Sequence, residues 1–404
     1  MSFTPQDICF LSSHYQEILE FDTTLTLGKN TMLQDSSVLR KKFGDRGRAV
    51  SEFLLARRSG VSGEKFPDDW LACQESAQQA TAMPVAKIRA NRIKEWADAG
   101  SVVHDVTCSI GSEGAALAGV GLPYLGSDID YSRCLMARYN LSTCFNTPQI
   151  LQADALSPCS MANIIVADPA RRQSGRRINS PENLIPPLPE LLSTYPEKEL
   201  AIKCAPGLDF SFWDGLVSLI SLNGGVKEAC LYTQGLSGGV RREAVVIRKG
   251  NIDRIDDRLA DNPEDNLSGE PGAWIIDPDG AIIRAGLVRH YAVREGLWML
   301  DERIAYLTGD DLPAGESGFR FLTQCPIKKV RSELQRRGCG RVEILCRGVD
   351  INPDSFRRTL KLSGPHALSL ILTRIGTRAV ALICGPRQWK TAPRDREDNS
   401  GLEC

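Results

Sequence analysis

Long apolar runs are missing from this 404-residue chain. No stretch of 18 or more apolar residues occurs, so no helix is expected to span a bilayer. The opening decapeptide MSFTPQDICF has no basic segment leading into an apolar one, so the expectation is a cytoplasmic protein without a secretory signal. Histidine is scarce, with four residues, and none of the 13 cysteines forms a Cys-x-x-Cys pair. That removes the usual ligand spacing for zinc, so no metal is expected, and reduced thiols fit better than a disulfide framework. An excess of one charge is missing too, since 49 basic residues face 50 acidic ones. A nucleic-acid partner would gain nothing from overall charge and would be held by local basic density.

What is present is an ordinary globular composition, 42% hydrophobic and 25% charged, at a length that predicts two or three domains. Residues 1–98 read as a helical region. The segments SVLRKKF, GRAVSEFLLARR and PVAKIRANRIKEWADAG space apolar residues three and four apart. Arg89, Arg92 and Lys94 are expected on a solvated face of the last of these, with RNA contact as the alternative. From residue 99 to 250 short apolar runs alternate with helical segments. SVVHDV (101–106), PYLGSD, QILQAD, NIIVAD and ELAIKC predict five parallel strands with helices on both faces. VKEACLYT and REAVVIRK, joined by QGLSGGVR without room for a helix, predict a closing antiparallel hairpin and seven strands in all. Residues 251–318 read as a connecting segment, with AWIIDPDGAIIRAGL as two short strands around a Pro-Asp-Gly turn and VRHYAVREGLW as a helix. Residues 319–386 form a compact α+β unit, and the charged tail 387–404 is expected to be disordered.

The chemistry gathers at the strand ends. HDVTCSIGSEGAAL (104–117) runs from a strand ending in Asp105 through a turn of small residues into a helix. Gly111 permits close backbone approach, and the helix N-terminus favours a negative group. Asp128, Asp154 and Asp168 then follow the second, third and fourth strands. Acids ending consecutive parallel strands share the sheet edge where such folds bind ligands. Behind Asp168 the stretch VADPARRQSGRR sets Arg171, Arg172, Arg176 and Arg177 within seven positions, donors suited to bidentate phosphate contact.

On these residues, segment 101–248 resembles a class I S-adenosylmethionine-dependent methyltransferase, a Rossmann-like α/β fold. The whole chain resembles a bacterial family of such enzymes with a THUMP-like C-terminal domain. VHDVTCSIGSE, GSDIDYSRCLMARYN, VADPARR, IKCAPGLDF, GGVKEACL and RGVDINPDSFRRTLKLSGPHALSLILTRIGTRAVALICG carry the resemblance, which covers roughly residues 80–386.

The resemblance implies S-adenosylmethionine as cofactor. Asp105, Cys108 and Gly111 would lie at its methionine end, Asp128 with Ile129 at the ribose, Asp154 with Ala155 at the adenine, and Asp168 nearest the methyl group. Asp168, Pro169, Arg171, Lys203 and Glu228 are the catalytic candidates. Many amino-methylating enzymes follow Asp/Asn-Pro-Pro with an aromatic that stacks on a flipped-out base. Here Ala170 and Arg171 occupy the third and fourth places, closer to an Asp-Pro-Pro-Arg variant seen in some ribosomal RNA methyltransferases. Cys204 is either a buried thiol or a nucleophile whose thiolate Lys203 favours. Glu228 either pairs with Lys227 on the surface or faces the acceptor. THUMP-like modules are associated with RNA binding, and this one carries Lys328, Lys329, Arg331, Arg336, Arg337, Arg341, Arg347, Arg357 and Arg358. The expected activity is methylation of a base in structured RNA, tRNA or rRNA. The alternatives are a methyltransferase of a small molecule or protein, or an RNA-binding protein with an inactive methyltransferase fold.

Overall fold

A computed structural model describes residues 3–170, 172–173, 176–177, 180–258 and 268–391. The chain divides into two compact units, residues 1–253 and 254–404.

The first unit opens with six helices, α1 (Pro5–Ser13), α2 (Tyr15–Asp22), α3 (Met32–Phe43), α4 (Gly47–Ser62), α5 (Gln74–Gln79) and α6 (Met83–Trp96). An α/β layer follows: β1 (Val103–Asp105), α7 (Ser112–Gly119), β2 (Tyr124–Asp128), α8 (Tyr131–Asn140), β3 (Ile150–Gln152), β4 (Ile164–Ala167), α9 (Leu188–Thr194), β5 (Glu199–Cys204), β6 (Leu216–Leu222), β7 (Gly225–Tyr232), β8 (Arg242–Arg248) and β9 (Asn251–Asp256). The sheet order is β9-β8-β6-β7-β5-β4-β1-β2-β3. Strands β1 to β5 run parallel, and β7 lies antiparallel between β5 and β6.

Seven of these nine strands form the expected sheet closed by an antiparallel hairpin, but the hairpin is made by other residues. It joins β6 to β7 through Asn223-Gly224, whose φ angles of 51° and 81° suit the tight turn that matches strand twist. The run VKEACLYT does not pair with REAVVIRK. The fully buried LVSLISL intervenes, and β8 runs parallel to it. A strand covered on both faces is uniformly apolar, so no alternation marks it.

The helical region and the sheet share one unit. Phe53, Leu54 and Trp70 pack in a cluster that also takes Ile110 and Met136. Ala86, Ala90 and Ile93 of α6 pack with Val103, Val166, Ala201 and Leu216 of four strands. Each large apolar side chain buried this way contributes about 2 kcal/mol. Arg89 and Arg92, expected in solvent, are buried on α6 at 1% and 5% exposure, whereas Lys94 is exposed. They lie on the inward face because acids within the unit pair with them.

The second unit carries β10 (Trp274–Ile276), β11 (Trp298–Asp301), β12 (Ile304–Gly309), β13 (Ser317–Pro326), β14 (Cys339–Cys346), β15 (His366–Ile375) and β16 (Arg378–Trp389) in one sheet, order β11-β12-β10-β13-β16-β15-β14. Its helices are α10 (Gly280–Ala285), α11 (Val288–Glu295), α12 (Val330–Arg336) and α13 (Pro353–Leu360). Residues 274–309, read as part of a connection, thus supply three strands of this sheet. The second half of AWIIDPDGAIIRAGL is helix α10, because the Asp279 carboxylate accepts the Ala281 N–H and caps it. Residues 387–389 of the expected tail are strand, and 392–404 lie outside the described residues. Among the described residues no helix is long and apolar enough to cross a membrane, and no cluster of three metal-ligating side chains occurs.

Candidate active site

Parallel pairing aligns the ends of β1, β2 and β4, with Asp105 level with Gly126 and Val166. Asp105, Asp128 and Asp168 therefore leave the sheet at one edge. Asp105 is 2% exposed, and burial, followed by the negative charges of Glu113, Asp168 and Asp128, pushes its carboxyl well above the usual range. The Thr107 N–H, at 3.1 Å, works against that rise. Asp128 accepts the Ser109 N–H at 3.0 Å and the Asp130 N–H at 2.9 Å. Burial also raises its carboxyl. Carboxylates crowded in a region of low dielectric favour a cation there.

The loop 106–111 forms the second wall. Ser109 and Gly111 take positive φ angles of 49° and 95°, and a Cβ on Gly111 would meet Leu141 at 2.9 Å. Asn140 holds the loop to the helical region by donating to the carbonyls of Ile110 and Leu71, each at 3.0 Å. The Ser109 and Ser112 hydroxyls are buried and have no hydrogen-bond partner among the described residues. Buried polar groups are rarely left so, and two of them, one in the loop and one at the first residue of α7, fit a polar ligand. Cys108 packs in the core, where burial raises its thiol, so only its backbone belongs to the loop surface. Ile129, at 69% exposure, follows Asp128 on the rim. Asp154 is exposed and accepts the N–H of Leu156 at 2.9 Å, while the Ala155 carbonyl accepts the Tyr195 hydroxyl at 2.8 Å.

Asp168 sits at the head of a chain of ion pairs. Its Oδ2 accepts Lys203 Nζ at 2.6 Å, its N–H donates to Thr107 Oγ1 at 2.7 Å, and its side chain stays 35% exposed. Lys203 also donates to Thr81 Oγ1 at 2.7 Å and lies 4.0 Å from Glu228 Oε2. Arg89 grips Glu113 through two bonds, at 2.9 and 2.5 Å, and bonds Glu228 with its third nitrogen. Arg92 pairs with Glu243, which also accepts the Ser218 hydroxyl at 2.6 Å. Glu228 therefore makes no surface pair with Lys227. It is 1% exposed and lies in β7, not at the start of a sixth strand, while Lys227 is exposed.

Lys203 and Cys204 are neighbours on a strand and so point to opposite faces, which removes the ammonium as an activator of that buried thiol. Pro169 is buried, and Ala170 exchanges backbone bonds with Ile185 at 2.7 and 3.2 Å, anchoring the exit from Asp168. Arg171 lies outside the described residues. The backbones of Arg172 and Arg176–Arg177 belong to a two-stranded ribbon. Thr81, Arg89, Glu113 and Asn140 were not read from the sequence as site residues. An arginine between the core residues Ile88 and Ala90 was the available signal for one of them.

Residues 317–386 match the THUMP domain-like family. Two proteins of Mycobacterium tuberculosis, from strains CDC 1551 / Oshkosh and ATCC 25618 / H37Rv, are each described as an uncharacterized S-adenosylmethionine-dependent methyltransferase. Each is 44% identical over 367 residues, covering 86% of this chain and 99% of the relative. A crystal structure of a Porphyromonas gingivalis W83 protein assigned as a methyltransferase shares the fold. It has a TM-score of 0.70 and 14% identity over 95% of this chain and 99% of that one. The chain belongs to the S-adenosylmethionine-dependent methyltransferases, and S-adenosylmethionine is its cofactor.

Proposed function

We propose that this S-adenosylmethionine-dependent methyltransferase acts on a base in structured RNA, tRNA or rRNA. The observation that carries the RNA reading is the THUMP domain-like segment 317–386 on the same chain as the carboxylate-lined sheet edge. Bound, the cofactor supplies an electrophilic methyl group on a positively charged sulfur. Asp105, the 106–111 loop and the hydroxyls of Ser109 and Ser112 hold its methionine end. Asp128 and Ile129 flank the ribose, and Asp154 with Ala155 the adenine.

Asp168 faces the acceptor. With Oδ2 held by Lys203, its Oδ1 accepts a hydrogen bond, and then the proton, from the group being methylated. Lys203 has Asp168 and Thr81 as hydrogen-bond partners and the Glu228 carboxylate nearby, so it orients the aspartate and does not act as a base. Glu228 and Arg89 keep Lys203 in place. Pro169 stiffens the turn behind Asp168, and Arg171, Arg172, Arg176 and Arg177 contact phosphates of the RNA. Catalysis in this arrangement is mostly the orientation of donor and acceptor.

The test is transfer of a labelled methyl group from the cofactor into bulk RNA. Incorporation should fall about 100- to 10,000-fold in Asp168→Ala while binding of S-adenosylhomocysteine persists. Labelling of a protein or metabolite fraction instead of RNA would overturn the substrate assignment.

A further inference from the structure

Two arginines of the second unit lie over buried aromatic rings. Arg347 stands 4.6 Å from the centre of the Tyr306 ring, and Arg387 stands 4.4 Å from that of Phe319. The rings are 1% and 0% exposed, whereas the two arginine side chains keep 32% and 31% of their surface in solvent. A guanidinium seated in this way gives one face to the ring and turns the other outward.

Their N–H edges are held as well. Arg347 donates to Asp277 Oδ1 at 2.9 Å and to the Ala305 carbonyl. Arg387 donates to Glu343 Oε1 at 2.6 Å and to Ser317 Oγ at 2.9 Å. Ala305 lies on β12 and Arg347 follows β14, five places away in the sheet order, which is about 24 Å in a flat sheet. One side chain joins them, so the sheet curls. Tyr306 and Phe319 then share one core with Ile275, Ile371 and Leu382, and the two guanidinium groups cap that core together.

A bulge brings an aromatic side chain into line with them. Between the pairs Phe319–Arg387 and Phe321–Cys384, β13 advances by two residues and β16 by three. The extra residue shifts the alternation of β16, so Arg387 and then Trp389 fall on the face of Phe319. Trp389 pairs with Ser317, is 62% exposed, and lies about 7 Å along the strand from Arg387. Because each guanidinium already meets a carboxylate, this surface offers fixed faces more than unmatched charge. Such faces stack on unpaired bases, whereas a phosphate needs an open fork of N–H donors.

We propose that Trp389, Arg387 and Arg347 form a stacking platform on the second unit for unpaired bases of RNA. The platform deepens the RNA reading and rests on it for the identity of the ligand. It extends the THUMP domain-like segment 317–386 by its next three residues.

The experiment uses the full chain and two labelled probes, a short oligoadenylate and a fully paired RNA duplex, each followed by fluorescence anisotropy across a salt series. Trp389→Leu should weaken oligoadenylate binding about tenfold. The slope of log affinity against log salt should stay the same, because no phosphate contact is lost. Arg387→Lys keeps the charge and loses the plane, so it should weaken binding about threefold, again at unchanged slope. Trp389→Tyr should restore most of the affinity, and the thermal midpoint of Trp389→Leu should match wild type because the ring is exposed. Duplex binding should respond to neither change. An oligoadenylate affinity that neither substitution moves overturns the platform, even where labelled methyl groups enter RNA. So does a loss of affinity that comes with an equal loss of salt slope, since the contact would then be to phosphate. If oligoadenylate binding depends on Trp389 while the labelled methyl enters protein or metabolites and not RNA, the platform stands and the substrate reading falls.

Discussion

Arg89 in the first unit and the arginines of α12 and α13 in the second do different work. In the first, Arg89 is 1% exposed and divides its guanidinium between Glu113 and Glu228, joining the cofactor loop's helix to the strand beside Lys203. In the second, Arg336 at 69% and Arg337 at 25% exposure share Glu333 within one turn of helix, and Arg357 at 50% meets Asp354 at 76%. A buried pair is fixed before any ligand arrives, since releasing either partner leaves a charge in low dielectric. An exposed pair is worth about 0–1 kcal/mol and readily exchanges its carboxylate for a phosphate. Arg89 is thus part of the scaffold, whereas Arg336 and Arg357 make solvated pairs that leave the guanidinium accessible.

The largest way to break this contrast is Arg89→Met. Removing one member of a buried network should cost about 3–5 kcal/mol in denaturant unfolding of the first unit. It should also weaken binding of S-adenosylhomocysteine, because Glu113 beside Asp105 loses its counter-charge. A loss below about 1 kcal/mol would mean that the network is solvated and no scaffold.

A smaller effect comes from protons. His104, one residue before Asp105 on β1, lies between the hydroxyls of Ser127 and Ser160, each at 2.9 Å, and burial lowers its pKa to about 4. Its folded value lies below its unfolded value, near 6.5. The stability it contributes is therefore complete above pH 6.5 and is lost as pH falls toward 4, by about 2–3 kcal/mol. Asp105 works the other way. Its carboxyl is raised, so its contribution is present at low pH and is lost as pH rises through the elevated value. Stability curves of His104→Gln and Asp105→Asn against pH, each subtracted from wild type, should slope in opposite directions. Parallel slopes would show that the two groups do not titrate as their surroundings dictate.

The frame of the site was legible in the sequence because each feature was local. A strand ending in Asp, then small residues, then a helix is a contiguous pattern, and so Asp105, Gly111, Asp128 and Asp168 were read from the segments that carry them. The Asn223-Gly224 turn was equally local, and it marks the true closing hairpin. The longer glycine-rich link QGLSGGVR misdirected the reading because the uniformly buried β6 has no period-two signal. Arg89, Thr81 and Asn140 were not legible, since their partners lie 24 to 139, 122 and 30 to 69 residues away. A basic residue on a helix reads as solvated until the acid that meets it is known. Residues 274–309 read as a connection for a related reason: β10 to β12 are short, and only pairing that leads through β10 to β13 makes them part of one sheet.

The smallest predicted effect sharpens the comparison most economically. Arg336→Ala should change stability by no more than about 0.5 kcal/mol, because Glu333 keeps Arg337 at 2.6 Å and the lost pair was solvated. Raising the salt concentration should erase even that difference, as screening reaches an exposed pair and leaves Arg89 largely untouched. Should Arg336→Ala destabilise the protein as much as Arg89→Met, exposure would not be what separates the two classes of arginine. The exposed arginines of α12 would then have to be read as framework, like Arg89.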